Sequence, residues 1–257
     1  MKSRSDEYNI ANRILLHSKF STNPTNWFNW IFQTMSIKKG NSILELGAGD
    51  GEMWIRNSQF IPECVEITIS DILDEFLVLA QERLKHDLND FKFEIIDIHN
   101  IPYENKFDKV LANTMLYHSY DLDLAIQQVK KSLVNGGIFY CTTSGLDHLV
   151  ELKDLVLAYD SRCIFPLNGE NAKFSRENGK EILSHYFKNV SMKDFENSLV
   201  IDDYDFLIDF ILTFQTDPKF YIEPISNEKE EFKKYLKSTF KSGQIKVTKS
   251  NCIFVAQ

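Results

Sequence analysis

Three glycines at alternate positions, Gly47, Gly49 and Gly51, follow an apolar run that is typical of a buried strand. Glycine lets the chain reverse without a Cβ clash. A ligand can then approach the bare backbone at the N–H groups that open the next segment. Carboxylates flank this turn at Glu45 and Asp50. A loop flanked by acids suits a ligand that carries positive charge and hydroxyl groups better than a diphosphate.

A further carboxylate, Asp71, ends the next apolar run, which predicts a strand at 65–70. In a parallel sheet, an acid at this strand end reaches the ribose hydroxyls of a nucleotide, and one carboxylate can accept from both hydroxyls. Asp71 also suits the N-cap of the helix predicted at about 73–86. A dinucleotide site needs a glycine at the sixth position of G-x-G-x-x-G. Glu52 stands there, so the G-x-G-x-G turn disfavours a dinucleotide.

The run ILELGAGDG, residues 43–51, resembles the first motif of the class I S-adenosylmethionine-dependent methyltransferases. In that family the loop holds the methionine end of the cofactor, and the acid after the second strand binds its ribose. The resemblance therefore implies S-adenosyl-L-methionine as the cofactor. The residues that it assigns to the methionine end and the ribose are Glu45, Gly47, Ala48, Gly49, Gly51, Asp71 and Ile72.

Two later strand ends extend the resemblance. Asp97-Ile98 ends the strand predicted at 92–96 and resembles the family's adenine site. There the carboxylate accepts from the exocyclic amine, and the next residue packs on the ring or donates its N–H. A plain turn role for Asp97 stays open. Asn113, after the strand predicted at 107–112, is expected to face the methionine end of the cofactor.

The segment after Asn113 is where the substrate-facing residues of the family begin. His118 can act as a base near neutral pH, and Tyr117 is a candidate for orienting the acceptor. A surface histidine is the alternative, because methyl transfer from a sulfonium needs mainly alignment. Two nucleobase motifs are absent here: the D/N-P-P-Y/F motif of amine methylation and the Pro-Cys nucleophile of cytosine-C5 enzymes. No set of metal ligands is recognisable.

Short apolar strands alternate with amphipathic helices from 42 to 143, which is typical of a parallel sheet with helices on both faces. The resemblance implies a doubly wound, mostly parallel seven-stranded sheet, the Rossmann-like methyltransferase fold, with an α-helical cap. The expected division is a lid of N-terminal helices at 1–40, a cofactor-binding core at 41–145, cap helices at 146–243 with strand six near 190–195, and C-terminal strands at 244–257.

The elements at the two ends of the chain carry their own predictions. A helix is predicted at 8–20, and an aromatic-rich helix at about 26–34. We interpret the second helix as packed on the sheet edge, with a lid that excludes water from the cofactor as the alternative. The chain end is predicted to form a hairpin of two strands, 244–248 and 252–256, across a turn at 249–251.

The bulk composition restricts the partners of this 257-residue chain. It carries 29 basic and 37 acidic side chains, a net charge of −8, which is unsuited to tracking a nucleic-acid backbone. The four cysteines lie far apart without a C-x-x-C pair, so neither zinc nor a disulfide framework is indicated. No secretory h-region opens the sequence, and no apolar run approaches the ~20 residues of a membrane span. We therefore expect a cytoplasmic protein without membrane or nucleic-acid partners.

The sequence thus predicts a class I methyltransferase that acts on a small-molecule acceptor. Methylation of a protein or an RNA stays open, and so does binding of the cofactor without turnover. A nicotinamide oxidoreductase is disfavoured by Glu52. Neither the acceptor atom nor the oligomeric state follows from the sequence.

Overall fold

Seven strands form one sheet, as the family resemblance implies. The computed structural model describes residues 15–165, 171–217 and 219–257. Within these ranges the strands are β1 Ser42–Leu46, β2 Glu66–Asp71, β3 Phe91–Ile95, β4 Phe107–Asn113, β5 Leu133–Ser144, β6 Val190–Ile201 and β7 Ile245–Ala256. Their order across the sheet is β3-β2-β1-β4-β5-β7-β6. Strands β1 to β5 pair in parallel and β7 runs antiparallel to β5. The predicted seven-stranded, mostly parallel sheet is confirmed.

Helices cover both faces of the sheet, because successive strand residues point to opposite faces. The helices are α1 Trp27–Met35, α2 Glu52–Ile55, α3 Asp74–Leu84, α4 Leu122–Ser132, α5 Val150–Tyr159, α6 Gly179–Ser184, α7 Tyr204–Leu212, α8 Glu223–Asn227 and α9 Lys229–Thr239. Ile43 and Leu111 share a buried cluster with α1, α2 and α3. Leu44 and Val110, on the other face, share one with α4 and α6. This confirms the doubly wound arrangement. None of the helices in the described ranges combines the length and apolar character that crossing a bilayer requires.

The described residues divide into two compact units. The sheet unit comprises residues 25–145, 171–195 and 251–257, and the second unit comprises residues 15–24, 146–165, 196–217 and 219–250. The second unit has its own buried core, built by α5, α7, α8 and α9 with residues such as Leu152, Leu207 and Phe232. The glycine turn and the strand-end residues from Asp71 to His118 lie in the sheet unit. The cap role of residues 146–243 stays a prediction.

The N-terminal elements agree with their predictions where the structure describes them. Residues 15–19 are helical, while the predicted helical residues 8–14 lie outside the described ranges. Asn26 caps α1 by accepting a hydrogen bond from a first-turn N–H at 2.9 Å. Ile31 and Met35 of this helix are fully buried in the cluster on the sheet. Helix α1 is therefore packed on the sheet, and its lid role stays a prediction.

The predicted C-terminal hairpin is wrong. The single strand β7 continues through residues 249–251, where a turn is predicted. Residues 251–256 pair with β5 on one side, and the strand order places β6 on the other. Neighbours on both sides satisfy the backbone hydrogen bonds of a continuous strand. The segment also has no glycine or proline that would reverse the chain.

Candidate functional site

Strand register brings the predicted ligand residues to one edge of the sheet. Leu46 is the last residue of β1 that pairs with both β2 and β4. The residues that come next on the three strands, Gly47, Asp71 and Asn113, therefore lie at the same carboxyl edge. Asp97 follows the end of the neighbouring strand β3. Open parallel sheets bind their ligands at this edge, so the predicted residues converge where a ligand is expected.

The glycine turn adopts a backbone conformation that side chains disfavour. Gly47, Gly49 and Gly51 have φ angles of +65°, +57° and +78°. A Cβ at Gly47 would lie 3.1 Å from the side chain of Met115, which follows β4 and covers this glycine. A Cβ at Gly49 would meet no atom within 4 Å. The backbone at Gly49 is therefore uncovered, and a ligand has the space to contact the chain there.

Asp71 ties the turn to the segment that begins α3. Its Oδ2 accepts the N–H of Gly49 at 2.9 Å, and its Oδ1 accepts the N–H of Leu73 at 3.0 Å. Each carboxylate oxygen has a further lone pair, so Asp71 can still accept hydrogen bonds from ligand hydroxyls. Ile72 beside it is 59% exposed and available for ligand contact. Ligand binding and support of the helix start are thus compatible roles for Asp71.

Asp97 is held by His99, a residue that the sequence pattern did not single out. Its Oδ1 accepts the backbone N–H of His99 at 2.9 Å and lies 2.7 Å from His99 Nδ1. These hydrogen bonds hold the pKa of Asp97 below its usual range. Oδ2 has no partner among the described residues, and 38% of the side chain is exposed, so this oxygen is free to accept from a ligand amine. Ile98 is buried in the core, which leaves its backbone N–H rather than its side chain to meet a ligand.

His99 also connects two loops at the carboxyl edge. An ionised carboxylate only accepts hydrogen bonds, so His99 Nδ1 donates to Asp97, and Nε2 forms a hydrogen bond of 2.7 Å with the hydroxyl of Ser119, which it accepts when the ring is neutral. Ser119 belongs to the segment after β4, and the neighbouring ring of Tyr120 stacks on His99 at 3.8 Å. The sequence signal was a histidine two residues after a strand-end acid. The role of this histidine depends on its hydrogen bond with Ser119, which is 20 residues away in the sequence and is brought close by the fold.

Glu45, before the turn, is almost fully buried and accepts a hydrogen bond from the indole Nε1 of Trp54 at 2.6 Å. Burial raises the pKa of Glu45 to about 8, and the carboxylates of Asp71 and Asp50 act in the same direction. Asp50 is itself paired with Arg83 of α3. Of the two acids that flank the turn, Asp50 is thus neutralised by the protein, and Glu45 is the one whose ionisation a nearby ligand cation would favour.

The segment after β4 carries the remaining candidates. Asn113 accepts from Thr142 Oγ1 at 2.7 Å through its Oδ1, and within the described ranges its amide Nδ2 has no hydrogen-bond partner. His118 is exposed, and its ring lies 4.4 Å from that of Tyr117. The structure places both rings in the segment that begins at the carboxyl edge. Their roles as base and orienting group stay predictions.

We expect Glu45→Gln to stabilise the ligand-free protein at neutral and higher pH. The pKa of this carboxyl rises from an ordinary value of 4.5 to about 8 when the chain folds. In this window the folded protein binds more protons than the unfolded chain, so its free energy of unfolding falls as pH rises. Glutamine keeps an acceptor for Trp54 but has no charge. The variant should lose this slope and gain a few kcal/mol at pH 8, measured by urea unfolding across the window.

Glu66→Gln is the matched control, because Glu66 opens the next strand, β2, and is exposed. It should keep the pH slope of the wild-type protein. If Glu45→Gln also kept that slope, the assignment of a buried carboxyl with a raised pKa to Glu45 would be wrong.

Comparison with known proteins finds methyltransferases. The family described as "Methyltransferase domain" matches residues 37–188, more than half of the chain. A demethylmenaquinone methyltransferase of Staphylococcus aureus (strain JH9) is 23% identical over 174 residues, 67% of this chain and 70% of that protein. The crystal structure of YcgJ from Bacillus subtilis has a TM-score of 0.57 at 17% identity and covers 89% of this chain and 96% of that one. Phosphoethanolamine N-methyltransferase 2 of Haemonchus contortus, in complex with S-adenosyl-L-methionine, has a TM-score of 0.56 at 18% identity, covering 98% of this chain and 56% of that one. The family match includes the glycine turn and every strand-end residue described above.

Proposed function

The chain belongs to the class I S-adenosylmethionine-dependent methyltransferases, and we propose that it transfers the methyl group to a small-molecule acceptor. The observation that carries the proposal is the carboxyl edge of the sheet, where Asp71 accepts the N–H of Gly49 and the backbone at Gly49 is left uncovered. The net charge of −8 supports a small acceptor over a nucleic acid. So does the absence of a nucleobase-amine motif after Asn113. The similar protein from Staphylococcus aureus is named for a small acceptor, demethylmenaquinone.

The residues at the carboxyl edge fit S-adenosyl-L-methionine. Asp71 would accept hydrogen bonds from the ribose hydroxyls, and the free Oδ2 of Asp97 would accept from the adenine amine. The backbone at Gly49 and the amide Nδ2 of Asn113 would hold the methionine end. The ammonium group of that end would favour the ionised form of Glu45, whose pKa burial raises.

The chain contributes mainly alignment to the chemistry. When bound, S-adenosyl-L-methionine supplies a methyl group on a sulfonium leaving group, suited to in-line displacement by the acceptor. The turn and the strand-end carboxylates of Asp71 and Asp97 would fix the position of the reacting centre, which is a large part of such a rate enhancement. Where the acceptor must lose a proton, His118 would take it. Tyr117, whose ring contacts His118, would orient the acceptor.

The full chain incubated with a metabolite extract and methyl-labelled S-adenosyl-L-methionine tests this proposal. Mass spectrometry should find label in a small molecule, together with released S-adenosylhomocysteine. Label in the protein or RNA fraction would instead favour the macromolecular acceptors. Calorimetric binding of the cofactor without any release of S-adenosylhomocysteine would indicate a binding protein without turnover. No binding at millimolar cofactor would overturn the proposal.

A further inference from the structure

Three basic side chains of the second unit, His17, His148 and Lys249, form a cluster in which two buried ring nitrogens have no hydrogen-bond partner among the described residues. The rings of His17 and His148 lie 6.2 Å apart, measured between centroids. The Nδ1 atom of each ring is shielded from solvent, and among the described residues it has no partner. Lys249 acts electrostatically on both rings. Within the described part of the chain, this lysine forms no ion pair with a carboxylate. Buried polar groups normally have partners, so the cluster needs an explanation.

The backbone around the cluster is held in place. The N–H of Leu149 donates to the carbonyl oxygen of Thr248 at 2.9 Å. Glu151 accepts the N–H of Thr248, also at 2.9 Å. These bonds fix the segment that carries His148 against β7, next to Lys249. His17, the third member of the cluster, lies on the helical residues 15–19 and therefore comes from a separate part of the chain. The cluster is therefore assembled by the fold of the second unit.

Among the residues that the structure describes, no carboxylate forms an ion pair with His17, His148 or Lys249. Burial, together with repulsion from Lys249 and from His148, lowers the pKa of His17 to about 3, and burial together with repulsion from Lys249 lowers the pKa of His148 to about 4. Burial lowers the pKa of Lys249 to about 8. The carboxylate of Asp147 raises the pKa of His148 but does not cancel these effects. Protonating either ring beside the ammonium group of Lys249 in this half-buried place is unfavourable unless an anion completes the arrangement.

We propose that His17, His148 and Lys249 form a binding site for the anionic group of a small metabolite, a carboxylate or a phosphate monoester. The ammonium group of Lys249 offers only donors, and a protonated imidazole donates from both ring nitrogens. A bound anion accepts the hydrogen bonds that have no partner among the described residues. It also offsets the repulsion from Lys249 that opposes protonation of the two rings. Since binding favours the charged rings, the complex takes up protons at neutral pH.

Two sources can supply this anionic group. One is the methyl acceptor, and that assignment rests on the proposed function. The other is a separate anionic ligand that is not methylated. Both present the same oxygen acceptors to the three basic side chains, so the experiment must first detect the site and then distinguish its source.

Imidazole ¹⁵N NMR of the full chain, titrated with inorganic phosphate and in parallel with acetate, detects the site. Of the six histidines, His17 and His148 should shift toward the imidazolium form, while the exposed His185 stays unchanged. Lys249→Met should weaken phosphate binding about tenfold through loss of charge-assisted hydrogen bonds. Lys246→Met, an exposed lysine of the same strand, is the matched control. His17 and His148 signals that respond to neither anion, or wild-type phosphate binding by Lys249→Met, would overturn the proposal.

The methyl-transfer assay then identifies the source. If the anion belongs to the acceptor, Lys249→Met raises the KM for the acceptor about tenfold and leaves the affinity for S-adenosylhomocysteine unchanged. An unchanged KM together with weakened phosphate binding assigns the site to a separate ligand. Failure of the wild-type chain to bind S-adenosylhomocysteine would reject methyl transfer alone, since the phosphate titration needs no cofactor.

Discussion

Asp71→Asn weakens the binding of S-adenosylhomocysteine by about a hundredfold in isothermal titration calorimetry. The carboxylate accepts one N–H from Gly49 and one from Leu73. No orientation of an asparagine amide serves both donors, because its NH₂ group must face one of them. The turn then loses a bond that shapes it, and the ribose hydroxyls lose an ionised acceptor. Both losses act on the cofactor site, which is why we expect a large effect.

Asp74→Asn is the matched control for this variant. Asp74 is exposed in the first turn of α3, so its replacement should leave the affinity within about threefold of the wild-type value. Urea unfolding of Asp71→Asn should show a loss of only ~1–3 kcal/mol, which separates damage to the site from loss of the fold. Wild-type affinity in Asp71→Asn would contradict ribose binding by Asp71.

Gly47→Ala lowers the free energy of unfolding by about 3 kcal/mol. The left-handed backbone at this position costs alanine ~1–2 kcal/mol. The new Cβ would in addition lie 3.1 Å from Met115, so the methionine has to shift in a packed environment. Gly49→Ala shares only the first of these effects, because a Cβ there meets no atom within 4 Å. Its stability should fall by ~1–2 kcal/mol, while its Cβ obstructs the cofactor and weakens S-adenosylhomocysteine binding at least about tenfold.

A double-mutant cycle between Gly47→Ala and Met115→Ala checks the packing argument. Shortening Met115 removes the atoms that the alanine Cβ would approach. The double variant should therefore be more stable than the sum of the single effects predicts, with a coupling of ~1–2 kcal/mol. Urea unfolding of the four proteins measures this coupling. Strictly additive effects would show that Met115 does not restrict the residue at position 47.

The strand-end residues were predictable because their placement follows from a simple geometric rule. Parallel strands in register end at one edge of the sheet, so identifying the strands before Asp71, Asp97 and Asn113 was enough to predict that these residues converge. The glycine turn was predictable for a similar reason. Its three glycines lie within five residues of one another, and their conformational freedom is a property of residue type.

Other features of the site depend on residues that are distant in the chain. His99 gains its role from Ser119, and the need for glycine at Gly47 comes partly from Met115. The predicted hairpin failed for the same reason. Local turn preference at residues 249–251 is weaker than continuous pairing of β7 with its neighbours in the sheet. In each case a contact between residues that are distant in the chain either overrode a local sequence preference or supplied a partner that the local sequence does not contain.

The sequence by itself determined the parallel strands, the glycine turn and the order of the strand-end acids, and the resemblance that these residues carry implied the family and its cofactor. These properties depend on residue type and on spacing between near neighbours. Only the tertiary structure decided that Oδ2 of Asp97 has no partner among the described residues and that Glu45 is buried with a raised pKa. It also decided that the rings of His17 and His148 lie close together, within electrostatic reach of Lys249. Hydrogen-bond partners and desolvation are set by whatever the fold places around a group, and in these cases it places residues from distant parts of the chain together.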